Sequence, residues 1–527
     1  MAKLVSALTT PIEDSGRATP LIAMYYAAAE MNRTGRARAI VATLAVVIVT
    51  AFPSPRIGAE APPPSDANQV FRAGAYAIDI TPTEFPVESA GSMTPRVVQA
   101  AHDPLHARCL VLDDGRTKIA FAICDSCMIP REVLDRAKEI VARETGIPTD
   151  RMLMAATHTH TGVSAAPTFQ SKVEVEYCEF LANRIAEGIG NAAELLEPAR
   201  IGWAVGHNPR QVFNRRWHMR KGVELTNPFD SADRVQMNPP SASRKLLKPA
   251  GPVDPEVPVL AVQSRDGRPI AVLANYSLHY VGGVPDGLLS ADYFGQFAIE
   301  LAKRIDETQP AAADGAPAFV AIMTNGTSGD INNINFFEGS AAQPPLEQIR
   351  LVASDVAASA HAAYQRVEWH DWVPLGMREI EIELGVRRPN DDDVAFAKHV
   401  LSQAGEPPYK DLRPIYALET LDLADYPATV IAKVQAIRIG ELGIVSSPCE
   451  TFVETGLAIK RESPLRPTFT IELANGYNGY LPTPEQHALG GYETWRAKSS
   501  YLATDAEPKV RASLLELLQQ VADEKAR

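Results

Sequence analysis

The chain has 527 residues, 46% of them apolar and 22% charged, with a net charge of −13 at neutral pH. That is enough apolar material for a large core, in two or three average domains or one large α/β domain. The negative balance argues against a nucleic-acid partner, because phosphate binding needs clustered cations. The densest basic spot, Arg215-Arg216 with Arg220-Lys221 behind it, is too short for such a footprint and reads as a solvated loop.

Taken in chain order, Met31 to Arg38 is positively charged and precedes Ile40 to Phe52, an apolar run broken only by two Thr, with Ala59-Glu60-Ala61 beyond. This is the layout of a secretory signal peptide, and the run is short for a bilayer span. Residues 1–61 are therefore expected to be a signal region with its true start at Met31, and the protein to be secreted or periplasmic. Residues 62–70, Pro-rich and polar, read as a linker, and residues 71–527 as the main folded domain.

The body alternates strands and helices. Ala73 to Ile80 is a strand, and Ala107 to Leu112 and Lys118 to Ile123 form a hairpin around Asp113-Asp114-Gly115. Arg131 to Thr145 carries a helical apolar stripe stopped by Gly146-Ile147-Pro148. The apolar run Met152 to Ala156 then opens into His158-Thr159-His160, two imidazoles that can share one cleft. A second helix, Val175 to Leu196, and a strand, Arg200 to Val205, follow. Residues 206–255 look irregular, a length of loop that usually serves a site. Val257 to Gln263 and Pro269 to Leu273 form another hairpin. Further strand ends lead into His279 and into Thr324-Asn325-Gly326-Thr327-Ser328-Gly329-Asp330. Residues 370–450, with a β-rich stretch from Val430 to Ser446, suggest a subdomain.

These patterns predict an α/β fold with mixed sheet layers flanked by helices. They put the polar clusters at the C-terminal ends of strands, where such sheets bind ligands. The five cysteines (Cys109, Cys124, Cys127, Cys178, Cys449) read as buried thiols or at most one disulfide, since Cys124-Asp125-Ser126-Cys127 ends a strand and does not open a helix. Gly326 to Asp330 lacks the Lys of a phosphate-binding loop.

From about Phe71 to Tyr492 the chain resembles the catalytic domain of the neutral/alkaline, non-lysosomal ceramidases. The match is carried by Gly74 to Thr81, Ala155-Ala156-Thr157-His158-Thr159-His160-Thr161-Gly162, Ser277-Leu278-His279, Ser290-Ala291-Asp292, Thr324-Asn325, Pro448-Cys449-Glu450-Thr451-Phe452, and Asn475-Gly476-Tyr477 through Tyr480. The resemblance implies zinc ligands at His158, His279, Glu450 and Tyr480. Two imidazoles, a carboxylate and a phenol suit Zn²⁺ and leave a position for water. It implies catalytic roles for His160, Arg215 and Tyr477. His102 matches a family histidine but is not read as a ligand; with Asp103, Asp125, Asp292, Asp330 and Asn332 it falls where it could support the site.

The family's activity is hydrolysis of the amide of an N-acyl sphingoid base. The resemblance thus implies an exported zinc-dependent hydrolase of an amide, or an ester, acting through metal-bound water. The implied partner is a small-molecule amide or lipid, with room for peripheral membrane contact and for a second, structural Mg²⁺ or Ca²⁺. Two departures stand out. Asn332 falls where the family carries a serine important for activity, with Ser328 and Asp330 as neighbours. The chain also ends at Arg527, without room for the family's C-terminal β-sandwich domain. Two other readings remain at this stage. One is an inactive ceramidase-like protein that binds a lipid or glycan; the other is an amidohydrolase-type barrel, in which an HxH pair also binds metal.

Overall fold

A computed structural model describes residues 69–308, 315–339 and 343–524. The expected signal region, 1–61, and most of the linker lie outside the described residues. Eight strands form the first sheet: β1 (Arg72–Asp79), β2 (His106–Asp113), β3 (Lys118–Cys124), β4 (Met152–Ala156), β5 (Glu197–His207), β6 (Glu256–Ser264), β7 (Pro269–Tyr276) and β8 (Val320–Asn325). Their spatial order is β8-β7-β6-β5-β1-β2-β3-β4. All neighbours are antiparallel except β3–β4 and β7–β8. A barrel hydrolase needs eight parallel strands closed around its metal, so the amidohydrolase reading is overturned by this mixed pairing.

Local chemistry sets these elements. In the β2–β3 hairpin Gly115 takes a φ of +90°, and the Asp113 and Asp114 carboxylates accept the turn amides of Gly115, Arg116 and Thr117. Each parallel pair requires a crossover helix. α1 (Arg131–Thr145) joins β3 to β4 and stops at Gly146 in the left-handed conformation. α2 (Val175–Glu194) follows, and α3 (Asp292–Asp306) joins β7 to β8. The other helices are α4 (Glu347–Tyr364), α5 (Asp391–Gln403), α6 (Leu412–Ala424), α7 (Val453–Glu462) and α8 (Ala506–Asp523), with a short helix at Pro484–Leu489. α5 grows out of the charged loop at 387–393 because Asn390 and Asp393 form a reciprocal cap.

A second sheet, in the order β9 (Leu375–Gly385), β10 (Thr429–Ile439), β11 (Leu442–Ser446), β12 (Thr468–Ile471), lies against the first. Residue alternation assigns each face. Leu110, Leu112, Phe121, Ile123 and Leu153 meet Met377, Ile437, Ile444 and Phe469 between the sheets. Their sequence neighbours Cys109, Val111, Ala120, Ala122 and Met154 pack outward against α1 and α2. α3 and α4 cover the β6–β8 half, and α8 covers the outer face of the second sheet. The strands of the first sheet are apolar on both faces because both faces are covered. The result is helix, sheet, sheet, helix, with no β-sandwich domain after it among the described residues. The 370–450 stretch contributes β9, β10 and β11, which share this inter-sheet core.

Residues 206–255 hold more order than their composition predicts. Arg216–Met219 pairs with both Val235–Met237 and Leu246–Pro249 in a small antiparallel sheet. Strands of three or four residues are too short to show a readable alternation. All five cysteines are buried free thiols. Among the described residues no helix is long and apolar enough to cross a membrane.

β4 and β7 stand near opposite edges of the first sheet, yet their C-terminal loops meet. The sheet curls until β8 contacts β2, β3 and β4. The segment after β12 fills the remaining gap: Glu472 N donates to Asn325 O (3.1 Å), Ala156 N to Leu473 O (3.1 Å) and Asn475 N to Met154 O (2.8 Å). The ends of β4, β7, β8 and β12 therefore surround one cleft.

Candidate metal centre

After β4 the chain turns sharply. His158 N donates to Ser126 O (2.8 Å), and His158 itself sits at φ +80°, a left-handed conformation costly for a residue with a Cβ. That backbone turns its ring into the cleft, where Nδ1 donates to Cys127 O (2.8 Å). His279, three residues past β7, donates Nδ1 to Ser328 O (3.1 Å) in the loop after β8. His160 donates Nδ1 to Gly91 O (3.0 Å) and stacks on Tyr280 with ring centroids 3.7 Å apart. A carbonyl can only accept, so all three rings carry their proton on Nδ1 and present Nε2 to the cleft.

The three Nε2 atoms converge. His158 Nε2 lies 3.0 Å from His279 Nε2 and 3.2 Å from His160 Nε2. Glu450 enters from the short strand Glu450–Thr451, which pairs in parallel with Tyr480–Leu481 so that Glu450 stands beside Tyr480. Its Oε1 accepts from the Tyr477 hydroxyl (2.9 Å). Its Oε2 is buried, makes no hydrogen bond, and lies 3.3 Å from His158 Nε2 and 3.8 Å from His279 Nε2.

These atoms fit a metal ion. With Nδ1 committed, neutral His158 and His279 would set two lone pairs against each other at 3.0 Å, an opposition that a shared metal ion relieves, as does a proton on His158 in the empty site. A tetrahedron with bonds of about 2.0 Å has edges of about 3.3 Å, close to the observed separations. The ligand atoms of His158, His279 and Glu450 lie within 4.8 Å of one another, and all three residues are buried. Tyr480 stands at the rim of the triad, its hydroxyl accepting from Arg215 Nη2 (3.0 Å).

Charge follows burial. Burial holds His160 and His279 well below the usual imidazole range. It also opposes charge on His158, but the facing Glu450 carboxylate overrides it and raises that imidazole well above. Glu450 is held low: burial pushes it up, and His158, the Tyr480 hydroxyl and Arg215 outweigh that push. Tyr477 and Tyr480 are raised by burial and by Glu450, so both stay neutral phenols.

Arg215 is buried and held through its Nε and Nη2. Its Nε donates to Glu493 Oε1 (2.8 Å) and its Nη2 to Gly329 O as well as to Tyr480, while Arg216 Nη1 takes Glu493 Oε2 (2.6 Å). Glu493 was not legible in the sequence, and neither was Glu472. The latter accepts from Ser328 Oγ (2.6 Å) and Thr451 N (2.7 Å), tying the loop behind His279 to the one after Glu450. Its one signal is a lone carboxylate in the apolar run Thr468 to Ala474.

The outlying candidates stand further back. Asp103 accepts from Ser290 Oγ and Ala291 N (both 2.7 Å), and Ser290 O in turn accepts from Thr159 and Thr161. Asp125 holds Arg108 and the His106 amide, and Asp292 the amides of Val281, Gly282 and Tyr293. Asp330 turns to Val453 N and Asn214, and Asn332 to Asn238. His102 is well exposed, its side chain nearest to Asp103. Ser328 lies by the cleft, but its hydroxyl sits behind His279 and is committed to Glu472.

The chain matches no protein-family model. Among solved structures it is similar to neutral ceramidase from Pseudomonas aeruginosa, with a TM-score of 0.64 and 17% identity over 86% of this chain and 74% of that one. A ceramidase complexed with C2 gives 0.63 and 16%, over 86% and 76%. The fold is thus that of the neutral ceramidases, held at low sequence identity.

Proposed function

We propose that the chain is an exported, zinc-dependent hydrolase that cleaves an amide, or an ester, of a lipid or other N-acyl small molecule. The observation that carries this reading is the convergence of the His158 and His279 Nε2 atoms on an unpartnered, buried Glu450 oxygen. The likeness to neutral ceramidase supports the choice of bond, since the sequence resemblance to that family implies amide hydrolysis. Export rests on the charge and hydropathy pattern of residues 31–61.

His158, His279 and Glu450 would hold the ion, with Tyr480 as a fourth, weaker ligand. A zinc ion held by these residues would supply water of lowered pKa, towards ~7, and a Lewis acid for a carbonyl. His160 is left with its Nε2 lone pair facing the cleft and its ring fixed by Gly91 O and Tyr280. It is kept neutral by burial, so it takes a proton from attacking water and returns it to the leaving amine. Tyr477 aligns Glu450. Arg215, anchored by Glu493, holds the Tyr480 oxygen and adds positive potential where negative charge develops.

A hydrolysis screen over N-acyl sphingosines, N-acyl amino acids and simple esters, with added zinc and with chelator, tests this. Turnover of an amide or ester that chelator abolishes and zinc restores is expected. Tight binding of a lipid with no turnover of any substrate would overturn it in favour of a binding protein.

A further inference from the structure

The small sheet inside residues 206–255 ends in a feature that the metal chemistry does not use. Arg215 and Arg216 at its base are buried and paired, but the tip is not. Arg220, Lys221, Arg244, Lys245 and Lys248 are all exposed, and none forms an ion pair among the described residues. They are neighbours: Arg220 N donates to Lys245 O (2.8 Å), Arg220 Nε to Leu246 O (3.0 Å), and Lys248 pairs with His218 across the strands. Large apolar side chains stand exposed beside them, Leu247 at 55% and Phe337 at 68%, with Ile334 at 37%. The 334–337 segment is fastened to the same sheet, since Ala242 N donates to Phe336 O (2.9 Å) and Trp217 packs edge-on to Phe337 at 5.0 Å. Among the described residues of 206–255 and 334–338 the exposed acids are Glu224, Asp230 and Glu338, and Asp230 is paired with Arg413.

Unpaired cations interleaved with exposed Leu and Phe are unusual on a chain of net charge −13. We infer that this tip docks on the surface of an anionic phospholipid bilayer, with Phe337 and Leu247 in the interfacial region and the five cations on the headgroups. Charge complementarity selects that occupant over a second copy of this acidic chain, which would present a further patch of five like charges at a symmetric contact. From Arg215 to Arg220 the extended strand covers about 17 Å. Docking there holds the hairpin that touches the metal cleft within reach of a lipid leaving the bilayer. The inference goes beyond the hydrolase reading and stands on separate residues.

Sedimentation of the full chain with vesicles made of equal parts phosphatidylcholine and phosphatidylglycerol, against pure phosphatidylcholine, tests it without substrate. Binding to the anionic vesicles alone, weakened by added salt, is expected. Each cation near such a surface strengthens binding about five-fold, so R244Q/K245Q/K248Q should weaken it on the order of a hundredfold. Phe337→Ser should weaken binding and leave hydrolysis of a water-soluble substrate unchanged. Equal binding to both vesicle types, or unchanged binding by the triple variant, overturns the inference. Binding to heparin with none to either vesicle also overturns it, and assigns the patch to an anionic polysaccharide. Loss of hydrolysis with vesicle binding intact would count against the hydrolase reading alone.

Discussion

His158 and His279 meet edge to face, ring planes at 90° and Nε2 atoms 3.0 Å apart, although the loops that carry them leave strands near opposite edges of an eight-stranded sheet. The curl of that sheet, closed by residues 472–475, is what brings them together. Each Nδ1 is committed to a backbone carbonyl, so both Nε2 atoms face the same point in the cleft, where one cation could be shared.

Gly91 separates metal binding from proton transfer. It sits at φ +84°, and a Cβ there would fall 2.5 Å from the His160 ring. Gly91→Ala should displace His160 while His158, His279 and Glu450 stay in place. The expected outcome is unchanged zinc content with kcat lowered on the order of a hundredfold. Steady-state kinetics beside metal analysis would check it; lost zinc would give His160 a different part.

Glu472 supports His279 through Ser328 and Glu450 through the Thr451 amide. Outer partners of metal ligands typically account for about 10–100-fold in metal affinity. Glu472→Ala should therefore weaken zinc binding by that factor, and Glu472→Gln, which keeps the shape and an acceptor, should recover part of it. Competition with a zinc-binding dye reads both. Equal affinity in all three proteins would confine Glu472 to packing.

Lys138 on α1 is buried, donates to Asn475 Oδ1 (2.8 Å) and lies 3.6 Å from Glu379. Asn475, at φ +62°, opens the loop that carries Tyr477. Burial lowers the Lys138 amine from 10.5 to about 8 against the pull of Glu379. The folded chain thus holds fewer protons at this site than the unfolded chain between pH 8 and 10.5. Its contribution to stability is least favourable below pH 8 and rises as pH climbs through that window. The gap corresponds to at most about 3 kcal/mol. Denaturant unfolding of the wild type and Lys138→Met across pH 7 to 11 should show the wild type gaining on the variant by up to that amount; parallel curves would refute it.

The β-rich skeleton was legible where burial on both faces leaves an unbroken apolar run, as in Ile119 to Ile123 and Met152 to Ala156, and where punctuation is strong, as at Gly146-Ile147-Pro148. His158 and His160 stood out because polar rings at the end of such a run have no packing role there. Arg215, Tyr477 and Tyr480 came from resemblance, since no local pattern links them. What sequence could not show is long-range. The packing of β9–β12 on the first sheet, the Nδ1 bonds to the carbonyls of Cys127 and Ser328, and the Glu493 fork on two arginines join residues far apart in the chain. The left-handed backbone at His158 is imposed by the same contacts, as nothing in Thr-His-Thr asks for it.

Titration of zinc into metal-stripped protein, followed by calorimetry and elemental analysis, tests the metal centre most directly. One zinc per chain is expected, bound with release of a proton because the Glu450 charge keeps His158 protonated in the empty site. His158→Ala and Glu450→Ala should each lower the affinity by several orders of magnitude while the fold, read by circular dichroism, persists. No stoichiometric binding, or full binding by both variants, would contradict it.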